Sequence, residues 1–204
     1  VYDRLVKYKV VDGVGTTEVE PMAAESWTAS EDGLTWTVKI KNNITFADGP
    51  PLNAEAGKYS FDRMMAIKMG PAGNFDCLES VTVVDPMTVS FNPKHPFAPF
   101  LQLLATNGAS IVNPKVARHE KNGDLAKDWL SQDMDGSGPY VMTEWLRGER
   151  IVLEARKNYW GPAPAIKRVI LRTIRESSDL RLAFDKFYLS ISLSFLIAPL
   201  PAFP

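Results

Sequence analysis

Hydrophobic and polar positions along the chain follow two periods. Trp36, Val38 and Ile40 alternate with Thr37 and Lys39, the period of two that lays one face of a strand on a core. Glu31-Asp32-Gly33 supplies turn chemistry before that strand, and the region around Gly13-Val14-Gly15 reads as a polar turn. After the break at Phe46-Ala47-Asp48-Gly49-Pro50-Pro51, Phe61, Met64, Met65 and Met69 recur at three and four residues. That spacing predicts a helix over 54–69 with Asn53 as its cap. The methionines could line an adaptable groove, but at helical spacing they are expected in the core.

Val81–Val84 and Thr88–Phe91, joined through Asp85-Pro86, predict a hairpin of β-branched strands. Pro99 opens a short helix through Ala105. Asn113-Pro114 caps a second helix that Asn122-Gly123 stops, and a third spans Asp124 to Leu130. Beyond Gly136-Ser137-Gly138-Pro139, strands are expected over 140–145, 151–155 and 169–174. The class is α+β, a mixed and mainly antiparallel sheet with helices.

Phe187–Pro204 contains no charged residue. A membrane span needs about 20 mostly apolar residues, and this stretch is broken by serines and prolines, so an edge strand and a disordered end are expected instead.

Composition narrows the functional classes. With 23 Lys and Arg against 24 Asp and Glu, the net charge of -1 generates no field that would draw the chain to nucleic acid. The single Cys77 excludes an internal disulfide. As a nucleophile it would need a base or cationic surroundings, and Asp76 and Glu79 would raise its pKa instead. The only histidines, His95 and His119, have no partner at zinc-ligand spacing and are expected to be surface or structural residues. Gly13-x-Gly15 and Gly136-x-Gly138 lack the later glycine of a dinucleotide loop. Glu18, Glu20, Glu25 and Glu31 are expected on a solvated face. No cofactor, metal site or catalytic residue is expected, and the chain is expected not to be an enzyme, a thiol hydrolase built on Cys77 being the remote alternative.

Several short segments arrive in one consistent order: Tyr2-Asp3-Arg4-Leu5-Val6, Pro21–Trp27, Ser30–Trp36, Phe46–Gly49, Leu52–Glu55, Ser60–Arg63 and Pro96–Leu101. They continue with Gly136–Tyr140, Glu144-Trp145, Arg150–Glu154 and Asn158-Tyr159-Trp160-Gly161. Together they resemble the family 5 extracellular solute-binding proteins, which serve dipeptide, oligopeptide, opine and nickel importers. The resemblance implies a partial periplasmic-binding-protein type II-like fold lacking the second lobe, with two lobes of the parent closing on a ligand. Residues 1–155 would form the smaller lobe with an edge of the larger at 1–6, and 156–184 would begin the return into the larger lobe. Residues 185–204, where resemblance and charge stop together, would be an atypical tail from truncation or a frameshift.

The implied task is that of an ABC importer's substrate-binding component in the periplasm or another extracytoplasmic space. Its expected partners are a peptide or small-molecule ligand and the ABC permease in the membrane, with no nucleic acid and a monomeric state. A transporter-independent sensor or chaperone is the alternative. The ligand's amine and carboxylate partners would come largely from the missing lobe. Within this chain, the loop Gly73-Asn74-Phe75 and Asn107-Gly108 are expected to touch the cleft with an aromatic face and amide groups. No signal peptide is expected within the given N-terminus, a leader having been removed or the chain starting late.

Overall fold

The computed structural model describes residues 1–174 together with Ser178; the uncharged tail expected to be atypical lies outside the described residues. Among the described residues, nine strands and three α-helices alternate with short 3-10 turns. No helix among the described residues is long and apolar enough to cross a membrane.

The first element is a hairpin that the sequence reading took for a turn region. β1 (Val6–Val11) and β2 (Val14–Pro21) pair antiparallel around Asp12-Gly13. Both turn residues have positive φ, 51° and 80°, the backbone of the two-residue turn whose twist matches paired strands and which favours Asp-Gly. The solvated carboxylates find lysines across the strands, Lys7–Glu20 and Lys9–Glu18 at 2.9 Å each. Exposed pairs of this kind contribute at most about 1 kcal/mol.

A four-stranded antiparallel sheet follows, in the order β3 (Ala24–Ala29), β4 (Trp36–Ile40), β6 (Thr88–Pro93), β5 (Leu78–Asp85). Glu31-Asp32-Gly33 lies in the β3–β4 turn as expected, and Glu25 of β3 pairs with Lys39 of β4 at 2.9 Å. β6 is interior to the sheet, and Val89, Ser90 and Phe91 are buried in succession.

Helix α1 (Ala54–Ile67) packs on β5 and β6. Asn53 Oδ1 accepts from the Ala56 amide at 3.0 Å, so Asn53→Ala should lower stability by about 1 kcal/mol in urea denaturation. The helix ends two residues earlier than expected. Lys68 adopts the left-handed conformation, φ 54°, and Gly70-Pro71 follows, which leaves Met69 60% exposed rather than in the core. Met64 and Met65 are partly buried against the core.

Aromatic rings tie these layers together. Phe61 of α1 meets Phe91 of β6 at 4.9 Å and Phe75 at 5.5 Å, both edge-on, while Phe91 and Trp36 both contact Phe100 of α2 (Phe100–Leu104). The second predicted helix is a 3-10 turn, Pro114–His119, with Asn113 Oδ1 accepting from the Lys115 amide. The third, α3 (Lys127–Leu130), starts three residues late because Leu125 and Ala126 have positive φ. β7 (Tyr140–Leu146), β8 (Arg150–Ala155) and β9 (Arg168–Arg172) form a separate antiparallel sheet, with Glu154 opposite Arg168. Residues on both sides of the division expected at 155 thus belong to one sheet.

The first five residues are the seam between these units. The Val1 carbonyl accepts from Gly138 N at 2.7 Å, the Asp3 carbonyl from Ile111 N at 2.9 Å and the Leu5 carbonyl from Ala24 N at 2.8 Å. Asp3 is fully buried, and its carboxylate accepts from the Trp160 indole at 2.8 Å and from the Tyr159 hydroxyl at 3.4 Å. Tyr2 is buried enough that its phenol is pushed up to about 12.

Beside the seam, Asn113 Nδ2 donates to Asp48 Oδ1 and to Asp135 Oδ2, both at 2.8 Å. Burial and then the neighbouring Asp48 push the Asp135 carboxyl above its ordinary range. The native protein therefore holds that proton more tightly than the unfolded chain does. This group's contribution to stability grows as pH falls through the raised native value towards the ordinary carboxylate value near about 4, and levels off below it. Acidification from pH 7 to pH 4 should accordingly favour the wild type over Asp135→Asn in urea midpoint; a flat difference would show that the native carboxyl is not perturbed.

Candidate ligand-binding surface

The residues expected to touch a ligand lie on two 3-10 turns, Gly70–Phe75 and Asn107–Ala109. Pro71 opens the first, which follows α1. The second follows α2, whose Phe100, Leu101 and Leu104 are buried and hold it to the core. The turns touch. A Cβ at Gly108 would lie 2.6 Å from Pro71 Cβ and 3.2 Å from the Phe75 ring, so the second turn carries glycine where it meets the first. Two loops more than thirty positions apart in sequence thereby form one surface.

Gly73 and Asn74 are exposed on it, and a side chain at Gly73 would meet open space. Phe75 is placed differently from the expectation: it is 1% exposed, with its ring packed on Phe61. The aromatic face expected at the surface is spent on the core, because a ring in the last position of this turn reaches the hydrophobic side of α1. Asn107 is exposed, and its Oδ1 accepts from Arg4 Nη1 at 3.1 Å. The same Nη1 donates to the Ala105 carbonyl at 2.6 Å, just beyond α2, where a cation suits the free carbonyls of a helix end.

Arg4 was not among the residues singled out from sequence. It is half-buried between Asp3 and Leu5, both fully buried. Its partner lies 103 positions away. The Arg in Tyr2-Asp3-Arg4-Leu5 was visible, but nothing local pointed it at Asn107.

Next to the first turn, a depression of about 520 Å³ is lined by Met65, Lys68, Gly73, Phe75, Asp76 and Lys94 among others. Lys94 Nζ donates to the Asp76 carbonyl at 2.7 Å. The floor is apolar and the rim carries both signs of charge, a lining suited to a zwitterionic or amide-bearing molecule.

The groups with nucleophilic or ligating chemistry lie elsewhere. Cys77 is partly buried, and burial is the main cause that pushes its thiol up; Asp76 adds to this and Lys94 opposes it. The sequence reading named the acidic neighbours and missed burial as the larger cause. His95 is exposed, and His119 stacks on Trp129 at 4.3 Å while accepting from Arg118 Nε at 3.0 Å. Among the described residues no group of three or more His, Cys, Asp or Glu side chains could hold a metal ion.

The family model described as bacterial extracellular solute-binding proteins, family 5 Middle, matches residues 18–192. The probable D,D-dipeptide-binding periplasmic protein DdpA of Escherichia coli K12 is 43% identical over 91% of this chain. Among solved structures, the periplasmic binding protein DppA of Helicobacter pylori, in complex with the peptide STSA, superposes with a TM-score of 0.79 at 29% identity, over 93% of this chain and 40% of its own. NikA of Brucella suis, in complex with Fe(III)-EDTA, gives 0.73 at 30% identity, over 91% and 36%. The chain spans only 36% of the length of DdpA. DdpA and DppA are binding proteins by name, and the mixed helix and antiparallel-sheet architecture corresponds to part of the fold of these solved structures. Over most of its length, this chain belongs to the bacterial extracellular solute-binding proteins, family 5.

Proposed function

We propose that this chain forms one wall of the ligand cleft in the substrate-binding component of an ABC importer, working in the periplasm or an equivalent extracytoplasmic space. It captures a peptide or related small solute without chemical turnover and passes it to the membrane permease. The observation that carries this reading is the 43% identity to a probable D,D-dipeptide-binding periplasmic protein over 91% of the chain. Gly73, Asn74 and Asn107 are the ligand-facing residues of this wall, and Phe75 supports them from the core. The chain acts as a monomer, and with a net charge of -1 it meets its partners through local surfaces rather than through a long-range field.

Titration calorimetry tests the reading. The product of the full reading frame should bind D-alanyl-D-alanine, L-dipeptides or short oligopeptides with micromolar or tighter Kd, and mass spectrometry should recover the ligand unchanged. Failure to bind any of that panel would overturn it. Residues 1–204 alone should bind the same ligands far more weakly, since a ligand held between two walls loses about half its contacts when one is absent; micromolar binding by this chain would refute that prediction.

A further inference from the structure

We propose that Asn107 recognises a hydrogen-bond acceptor oxygen of the captured ligand and that Arg4 is the positioning residue that fixes it in this role; the inference rests on the peptide-capture reading above. A guanidinium carries donors and no acceptor. The atom of the Asn107 amide that faces Arg4 Nη1 at 3.1 Å is therefore its oxygen, a chemical requirement that removes the usual ambiguity in amide orientation. With Oδ1 committed to Arg4, the exposed end of the side chain presents the two N–H bonds of Nδ2. No described residue accepts from them.

The support beneath this amide is rigid. The Ser110 hydroxyl donates to the Asn107 carbonyl at 2.7 Å and closes the turn. Gly108 is wedged against Pro71 and Phe75, and Arg4 is anchored by the Ala105 carbonyl at 2.6 Å. Arg4 makes no ion pair among the described residues, so its charge adds to the field at the same corner. A corner made of donors beside a cation accepts an oxygen and disfavours an ammonium group. Two ligand oxygens have that chemistry, a terminal carboxylate and a peptide carbonyl.

Asn107→Asp separates recognition from folding. The aspartate still accepts from Arg4, so the turn keeps its anchor, but both outward donors are lost and a negative charge takes their place. Calorimetry would use D-alanyl-D-alanine and L-alanyl-L-alanine, each as the free acid and as the C-terminal amide, with the product of the full reading frame. Asn107→Asp should bind about tenfold more weakly or worse, the loss expected for a hydrogen bond to a charged group, with an unchanged urea midpoint. A loss confined to the free acids assigns the carboxylate; an equal loss for acids and amides assigns the carbonyl. Undiminished affinity for both forms overturns the inference while peptide capture stands. If the wild type binds none of these dipeptides and none of the short oligopeptides of the wider panel, peptide capture fails and the inference falls with it.

Arg4 has its own readout. Arg4→Lys keeps a donor-only neighbour for Asn107 and should retain most of the affinity, whereas Arg4→Gln, which can donate or accept, frees the amide to turn over and should weaken binding. Equal affinities for the two variants would remove the positioning role.

Discussion

Gly138→Ala should cost this protein about 3 kcal/mol or more, enough to leave a marginal domain largely unfolded in a urea titration. A Cβ at Gly138 would stand 2.5 Å from both the carbonyl carbon and oxygen of Val1 and 2.9 Å from the Tyr2 nitrogen. Real contacts of that kind do not occur, and every atom involved is main chain. Relief cannot come from a side chain turning aside. It requires the seam to lift away, which breaks the 2.7 Å bond from Gly138 N to the Val1 carbonyl and loosens buried Asp3. The same substitution at Gly15, where a Cβ meets nothing within 4 Å, is the control and should change stability by less than about 1 kcal/mol. If the two variants unfold at the same urea concentration, the close approach at Gly138 is not a real constraint.

The second large effect is expected at Arg156, which lies just beyond β8. Its Nη1 donates to the Ser137 carbonyl at 2.8 Å and the Thr45 carbonyl at 3.1 Å, and its Nη2 donates to the Phe46 carbonyl at 3.0 Å. One planar group thus joins the segment before α1 to the segment before β7. Removing it leaves several part-buried carbonyls without a charged donor, and Arg156→Ala should lose about 3 kcal/mol. Arg156→Lys should recover little of this, because an ammonium is a single point of donors that cannot span the two segments as the guanidinium fork does. Equal stability of the lysine variant and the wild type would contradict this account. Burial pulls the guanidinium below its ordinary value, but that value is so high that the loss should be the same at pH 5 and pH 8.

Much of the architecture could be read locally. The alternation of Trp36, Val38 and Ile40 became β4, Asp85-Pro86 became the turn between β5 and β6, and Asn53 caps α1 through its side chain. Each rests on residues a few positions apart, the range over which periodicity and capping carry information. The β1–β2 hairpin was also legible, since Asp12-Gly13 between Val11 and Val14 is a hairpin signal. Its strands run out past the core, so that Val6 is buried while Val10, Val11 and Val14 are exposed, and the local turn signal stands without a continuous buried face beside it. Met69 shows the opposite failure: the spacing was helical, but a left-handed Lys68 ended the helix before the pattern did.

The candidate surface divides in the same way. Gly73, Asn74 and Asn107 could be singled out as loop residues in a chain resembling a binding protein, and family membership followed from the order of short motifs. Sequence alone also determined the single cysteine, the balanced charge and the capped α1. Tertiary structure alone decided that Phe75 turns inward, that Gly108 brings the two turns together, that Gly138 takes the Val1 backbone against it, and that Arg4 donates to the Asn107 side chain. Those contacts join positions from 14 to more than a hundred and thirty residues apart. A side chain's pattern records whether it is buried, but its partner is set by how whole elements pack, and packing at that separation leaves no period in the chain.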